Sequence, residues 1–141
     1  MRHQEMDTIA RQVLHAWRTD DRDTFAQLLA DVARASDCQR NPALFAHVLF
    51  RLAMRETRTV DKESVTQFLT SATTKLRECV EFDSALAAVL FRGALGAPQL
   101  LRDIPVGLTV ALELAFAALQ LEDTSDDRLE QLLNEASRLA A

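Results

Sequence analysis

The sequence predicts an all-α protein, and three observations lead to this prediction. Leu and Ala far outnumber Val and Ile, Tyr is absent, and Gly and Pro occur only three times each, which favours helices over strands. Apolar residues recur at helical spacing along the chain, and candidate start and stop residues separate the segments. We expect one domain covering residues 1–141, a compact bundle of about six main helices.

The first three segments each combine a start signal with an apolar face. The first follows the candidate cap Asp7, and Asp20 is the candidate cap of the second, which has acidic residues in its first turn. Asn41 as cap and Pro42 at the first helical position are a strong start signal. The third helix is therefore expected to run from this pair to about Arg58.

The remaining segments show the same pattern. Their predicted boundaries are Asp61 for one helix, Asp83 to about Gly96 for the next, Pro105 to about Leu121 for a long apolar helix, and Thr124 or Ser125 at the start of the last. Residues 98–102 are expected to form one short turn. The helix after Asp61 carries many threonines on its outer face, so packing must stabilise it more than propensity does.

An internal echo leaves a second architecture open. Val-Leu-Phe-Arg occurs at 48–51 and at 89–92, and Gln27 and Gln67 begin a fainter echo. The spacing of about 40 residues is in the range of HEAT and armadillo repeats, in which each repeat is a helix pair. The ending Arg-Gly-Ala-Leu-Gly at 92–96 resembles the close of a HEAT repeat. A short HEAT-like solenoid of two-helix repeats is therefore the alternative to a bundle.

No catalytic, cofactor or metal motif is visible. Three glycines cannot form a phosphate-binding loop, and the three histidines are scattered. Cys38 and Cys79 have no ligand at metal spacing, so buried free thiols are the simplest interpretation. The acidic run from Glu122 to Glu130 lacks the glycine and spacing of a calcium loop. We expect no enzyme activity, no cofactor and no metal.

One basic stripe can be drawn on a helix. His47, Arg51, Arg55 and Arg58 follow one another at intervals of three or four residues, and such a surface can bind phosphate or an acidic partner. A solvated helix face is the more common explanation. The net charge of −5 disfavours a nucleic-acid partner, because long-range attraction to a polyanion needs a basic protein.

Two consecutive apolar segments lie within residues 84–121. A central apolar hairpin surrounded by amphipathic helices resembles the layout of pore-forming colicin domains and apoptosis-regulator bundles, without their motifs. A membrane-active bundle is thus a second function to consider, although a soluble bundle has central helices of the same composition. Arg92 and Glu113 are the only charges inside these helices, and each would be costly in a membrane. A partly buried Arg92–Glu113 ion pair is one expectation, and separate access of each side chain to solvent is the other.

The main expectation is a protein–protein interaction or scaffold module. Trp17 and Phe25 are candidate anchors for a partner, because aromatic side chains dominate interface energies, although a core position is the commoner role. The apolar helices need cover from other helices or from a second subunit, which makes a homodimer possible. Fourteen of the sixteen basic residues are Arg, a hint of a GC-rich bacterial gene, and the N-terminus lacks a secretory signal, so we expect a cytoplasmic protein.

Overall fold

The chain folds into α-helices throughout the part that the computed structural model describes, residues 3–34, 40–76, 84–94, 96 and 105–140. These ranges contain no strand, which confirms the all-α class. They contain seven helices: α1 (His3–Arg18), α2 (Arg22–Arg34), α3 (Arg40–Glu56), α4 (Lys62–Leu76), α5 (Ser84–Ala94), α6 (Val106–Gln120) and α7 (Asp126–Ala140). The described residues form one helix more than the expected number of about six, because each segment with helical periodicity forms a separate helix.

Helix α6 lies at the centre of the fold. Its side chains from Val110 to Gln120 are all buried, as the nearly uniform apolar composition of the segment predicts. The helices α1, α2, α3 and α5 pack directly against it, and α7 packs against α3. The chain's own helices therefore provide the cover that α6 needs.

The starts of three helices show why the chain enters a helix there. The carboxylate of Asp61 accepts a hydrogen bond from the backbone N–H of Ser64 (2.8 Å), and the Ser64 hydroxyl accepts one from the N–H of Asp61 (3.2 Å). This reciprocal pair satisfies two backbone donors at the start of α4. The hydroxyl of Ser125 caps α7 by accepting from the N–H of Arg128 at 3.2 Å, so Ser125 and not Thr124 is the cap. Pro105 precedes α6, as predicted.

The cap predicted for α2 is wrong by one residue. Asp21, and not Asp20, accepts a hydrogen bond from the N–H of Thr24 (3.2 Å). Asp20 instead has a φ of 61° and lies in the turn that ends α1. Because aspartate tolerates this left-handed conformation better than most residues, the first Asp of the pair ends one helix and the second begins the next.

Helix α1 begins at His3 and helix α3 at Arg40. The predicted start signals Asp7, Asn41 and Pro42 are therefore wrong, and they lie inside these helices.

The end of α3 and the region around α5 also differ in detail from the prediction. Helix α3 ends at Glu56, and Arg58 (φ 58°) follows in the turn, where the N–H of Thr59 bonds to the carbonyl of Met54 at 2.8 Å. Helix α5 ends before Gly96, whose φ of 140° suits a glycine. The predicted cap Asp83, the short turn at 98–102, Cys38 and Cys79 lie outside the described residues.

Four phenylalanines join α4 and α5 to the rest of the core. Phe50 of α3, Phe68 of α4, Phe91 of α5 and Phe116 of α6 have ring centroids 5.0–6.3 Å apart, mostly edge to face. Phe50 and Phe91 are the phenylalanines of the two Val-Leu-Phe-Arg segments, and both are buried in this cluster. The repeated letters thus serve packing at both positions, and the tandem repeat itself stays a prediction.

Gly107 allows the first turn of α6 to approach the end of α2 closely. A Cβ atom added at this position would lie 2.7 Å from the carbonyl oxygen of Ala33 and 2.8 Å from that of Val32. These are backbone atoms, so a larger residue can be accommodated only if the two helices move apart.

The first prediction is that Gly107→Ala destabilises the protein. Ala has the higher helix propensity by about 1 kcal/mol, so propensity alone would make this change stabilising. We expect the backbone clash to outweigh it, with a net loss of about 1–2 kcal/mol in the free energy of unfolding, as for other overpacked sites. The measurement is urea unfolding followed by circular dichroism.

The control is Val106→Ala, one residue earlier on the same turn, where the side chain is 47% exposed. An increase in stability in Gly107→Ala would show that α2 and α6 are not in close contact there.

Candidate partner-binding site

A buried acid–base pair lies where α3 crosses α6. The Nδ1 atom of His47 is 2.6 Å from Oε2 of Glu113. Glu113 is only 3% exposed, whereas the side chain of His47 is 27% exposed. A charge this deep in the core is tolerated when it is paired and hydrogen-bonded, and the imidazole provides that partner.

Burial raises the pKa of the Glu113 carboxyl above its ordinary value, and the hydrogen bond from His47 opposes part of that rise. Two arrangements of the proton fit the short contact. Either the protonated Nδ1 donates to the carboxylate, or the carboxylic acid donates to an unprotonated Nδ1. In both, the pair holds a shared proton within the core.

This pairing shows that the expected Arg92–Glu113 ion pair is wrong. Glu113 faces α3 and its carboxyl contacts His47, whereas Arg92 on α5 is exposed to solvent. The prediction assumed that consecutive helices bring their charged edges together. The charged edge of α6 instead faces a helix much earlier in the chain.

His47 therefore does not belong to the exposed basic stripe that the sequence suggested. On a helix with 3.6 residues per turn, each step of four residues moves about 40° around the axis. Consequently His47 lies at the edge of the buried face of α3, while Arg51 and Arg55 are fully on its exposed face. Arg58 is also exposed, in the turn after α3.

Arg51, Arg55 and Arg58 differ from most other described arginines because they form no ion pair. Other arginines form ion pairs with acidic side chains, namely Arg11, Arg18, Arg22, Arg34 and Arg128. Among the described residues, no carboxylate lies within ion-pair distance of Arg51, Arg55 or Arg58. In a chain with a net charge of −5, these unpaired guanidinium groups form a local basic surface.

Arg51 and Arg55 line a groove with an apolar floor, which we call the α3–α5 groove. Its other described lining residues are Met54 of α3, Val60 of the following turn and Ala94 at the end of α5. The groove has a volume of about 190 Å³. Pockets for cofactors and drug-sized ligands usually have roughly 300–1,000 Å³, so this one suits a single side chain better than a cofactor.

Trp17 and Phe25, the candidate anchors, are both in the core. Their ring centroids are 4.9 Å apart, and each residue is nearly or completely buried. The indole Nε1 of Trp17 donates a hydrogen bond to Glu122 (2.8 Å), and the guanidinium of Arg22 stacks 3.4 Å from its ring centroid. Neither ring is available to a partner in this structure. Both residues therefore occupy the core position expected as the commoner alternative to an anchor role.

A second, more polar cleft of about 200 Å³ lies beside the end of α6. Gln120 lines it and is 8% exposed, and its side-chain amide atoms have no hydrogen-bond partner in the described part of the chain. Those atoms are covered by neighbouring groups, so a molecule in the cleft would not reach them. Glu122, also on the cleft, already accepts from Trp17 and Lys75.

The described residues include neither a metal-binding cluster nor a helix that could cross a membrane. They contain no group of three or more His, Cys, Asp or Glu residues arranged to hold a metal ion. None of their helices has both the length and the hydropathy needed to cross a bilayer. Comparisons of the chain with protein family models, with curated proteins and with solved structures gave no match.

The site thus contains features that the sequence did not reveal. The His47–Glu113 pair joins residues on two helices that are distant in the chain, and the only local signal was the position of His47 beside an apolar helical face. Val60 and Ala94 come to the groove from other parts of the chain. The periodicity of the sequence indicates neither the contact between His47 and Glu113 nor the position of Val60 and Ala94 in the groove.

The second prediction is an unequal double-mutant cycle between His47 and Glu113. His47→Leu should cost about 1–3 kcal/mol of stability, because it leaves a buried carboxyl group without its partner. Glu113→Leu should cost less, since the partly exposed imidazole can turn toward water. The double variant should be more stable than the sum of the two losses predicts, by at least 0.5 kcal/mol. Strictly additive changes in urea unfolding would contradict the pairing.

The third prediction concerns pH. Because the pKa of Glu113 in the folded protein is raised above its ordinary value of 4.5, the folded state holds this proton more tightly than the unfolded chain. The stability that this tighter proton binding contributes is fully present below pH 4.5. It is lost as pH rises through the pKa of Glu113 in the folded protein. We therefore expect the wild type to lose stability relative to Glu113→Gln over that rise.

The measurement is the free energy of unfolding of both proteins in urea at a series of pH values. Glu63→Gln is the control, because it removes an exposed carboxyl group from the surface of α4. The expectation fails if the wild type and Glu113→Gln give parallel pH profiles.

Proposed function

We propose that this protein is a non-enzymatic interaction module that binds an acidic segment of a partner protein through Arg51 and Arg55. The observation that carries the proposal is the unpaired state of these two exposed arginines, whereas five of the eight other arginines whose side chains the structure describes form ion pairs. Guanidinium groups bind carboxylates through planar, bidentate hydrogen bonds. A partner that supplies carboxylates would complete pairs that the chain itself leaves open. The expected location of this interaction is the cytoplasm.

The most conspicuous acid–base pair supports a structural role more than a catalytic one. Glu113 is buried, so a substrate has no direct approach to its carboxyl group. A general base must lie within hydrogen-bond reach of the proton that it removes. The geometry therefore favours His47 and Glu113 as a link between α3 and α6.

The same arginines make a nucleic acid the second candidate. Phosphate groups also accept bidentate hydrogen bonds from arginine. The net charge of −5 weighs against this candidate, because a duplex carries a dense negative charge that the rest of the chain would repel. Duplex DNA is therefore the competing ligand in the test. Self-association, the other partner expected from the sequence, is checked by size-exclusion chromatography with light scattering.

The fourth prediction is that Arg51→Gln/Arg55→Gln weakens binding of a fluorescein-labelled twelve-residue glutamate peptide. Exposed ion pairs contribute about 0.2–1 kcal/mol each, so loss of two should raise the dissociation constant about 2- to 30-fold. Binding by the wild type should weaken as salt is raised, and the variant should show a flatter salt dependence. Fluorescence anisotropy measures both.

The matched control is Arg34→Gln/Arg138→Gln, which makes the same change in net charge at exposed sites on α2 and α7. The proposal fails if both double variants bind like the wild type, or if the peptide does not bind at all. Tighter binding of a twelve-base-pair duplex, lost in the Arg51/Arg55 variant, would instead support the nucleic-acid candidate.

A further inference from the structure

We propose that the α3–α5 groove holds one large apolar side chain of the acidic partner segment, with Arg51 and Arg55 binding carboxylates that flank it. This inference rests on the proposed function and adds the chemistry of the partner. It specifies an acidic peptide with an apolar anchor, in place of a surface that recognises negative charge alone.

The floor of the groove is apolar and partly open to solvent. Val60 is 53% exposed, one of four exposed large hydrophobic side chains in the described part of the chain, and it lies beside Ala94 and the buried Met54. An exposed apolar surface next to charged groups is typical of an interaction site. Methionine adapts to side chains of different shape, which suits a floor that must receive one.

The arginines occupy the rim of this floor on one face of α3. Residues four apart on a helix have Cβ atoms about 6 Å from each other, so the two guanidinium groups can hold two carboxylates of one short segment. With both carboxylates bound, the intervening part of the segment lies over the groove. Charge complementarity thus requires a negatively charged occupant. The apolar floor requires that this occupant have an apolar side chain between its two carboxylates.

The combination favours a protein segment over other acidic ligands. Nucleic acid and inorganic phosphate have no aliphatic side chain that could cover Val60 and Met54. A second copy of the chain is also acidic overall, which disfavours its approach as a whole. A short peptide with one Leu, Met or Phe between acidic residues satisfies both the rim and the floor.

The test uses acetylated, fluorescein-labelled peptides that carry two glutamates around one central residue, with one, two or three residues between the glutamates. The central residue is Leu in one series and Ser in the other. We expect the best Leu peptide to bind the wild-type protein at least tenfold more tightly than its Ser counterpart, since burial of a leucine side chain accounts for a difference of that size.

Two variants assign this preference to the groove. Val60→Ser removes part of the apolar floor without adding bulk, and Ala94→Phe fills the α3–α5 groove with a large side chain. Each should reduce the difference between the Leu and Ser peptides to less than threefold, while binding of the all-glutamate peptide stays within twofold of wild type. Val106→Ser is the matched control, because Val106 is a similarly exposed valine outside the groove, and it should keep the full preference.

The outcomes separate this inference from the proposed function. Equal binding of Leu and Ser peptides, with binding still dependent on Arg51 and Arg55, overturns the apolar anchor and leaves the proposed function standing. A preference for Leu that survives Val60→Ser and Ala94→Phe overturns the groove as its site. Failure of every acidic peptide to bind overturns both proposals. Circular dichroism of each variant confirms that the helices are retained.

Discussion

Every side chain of α6 from Val110 to Gln120 is buried, so this helix has to be enclosed by the others on all sides. The requirement decides where α1, α2, α3 and α5 pack. It also forces close contact at the first turn of α6, where only a residue without a side chain fits against the carbonyls at the end of α2. Much of the remaining architecture supports this central helix or connects the helices around it.

The same requirement brings polar groups into the core. Glu113 lies on α6 and cannot reach water, so the fold supplies an imidazole from α3, and burial raises the pKa of the carboxyl. Near the end of α6, Glu122 links α1 and α4 by accepting from Trp17 and Lys75. These three contacts are long-range, and they join parts of the chain that the hydrophobic effect has already brought together.

Helix α3 combines a structural role in the core with the proposed binding role. One edge carries His47 into the core, and the adjacent face carries Arg51 and Arg55 into solvent. Each step of four residues turns about 40° around the helix axis. His47 therefore lies at the edge of the core, whereas Arg51 and Arg55 on the same helix are exposed. The surface proposed for partner binding is therefore anchored on a helix whose position the core has fixed.

The sequence by itself determined the all-α class, the succession of helical segments and the cap Asp61, and it narrowed the cap of the last helix to Thr124 or Ser125, because these depend on spacing and on hydrogen bonds within a few residues. It also indicated Arg51 and Arg55, since both lie on one helix. Only the tertiary structure decided that Glu113 meets His47 and not Arg92, that Trp17 binds Glu122, and that Val60 and Ala94 complete a groove. These contacts depend on how helices pack around α6, and local periodicity contains no information about which distant residues that packing brings together.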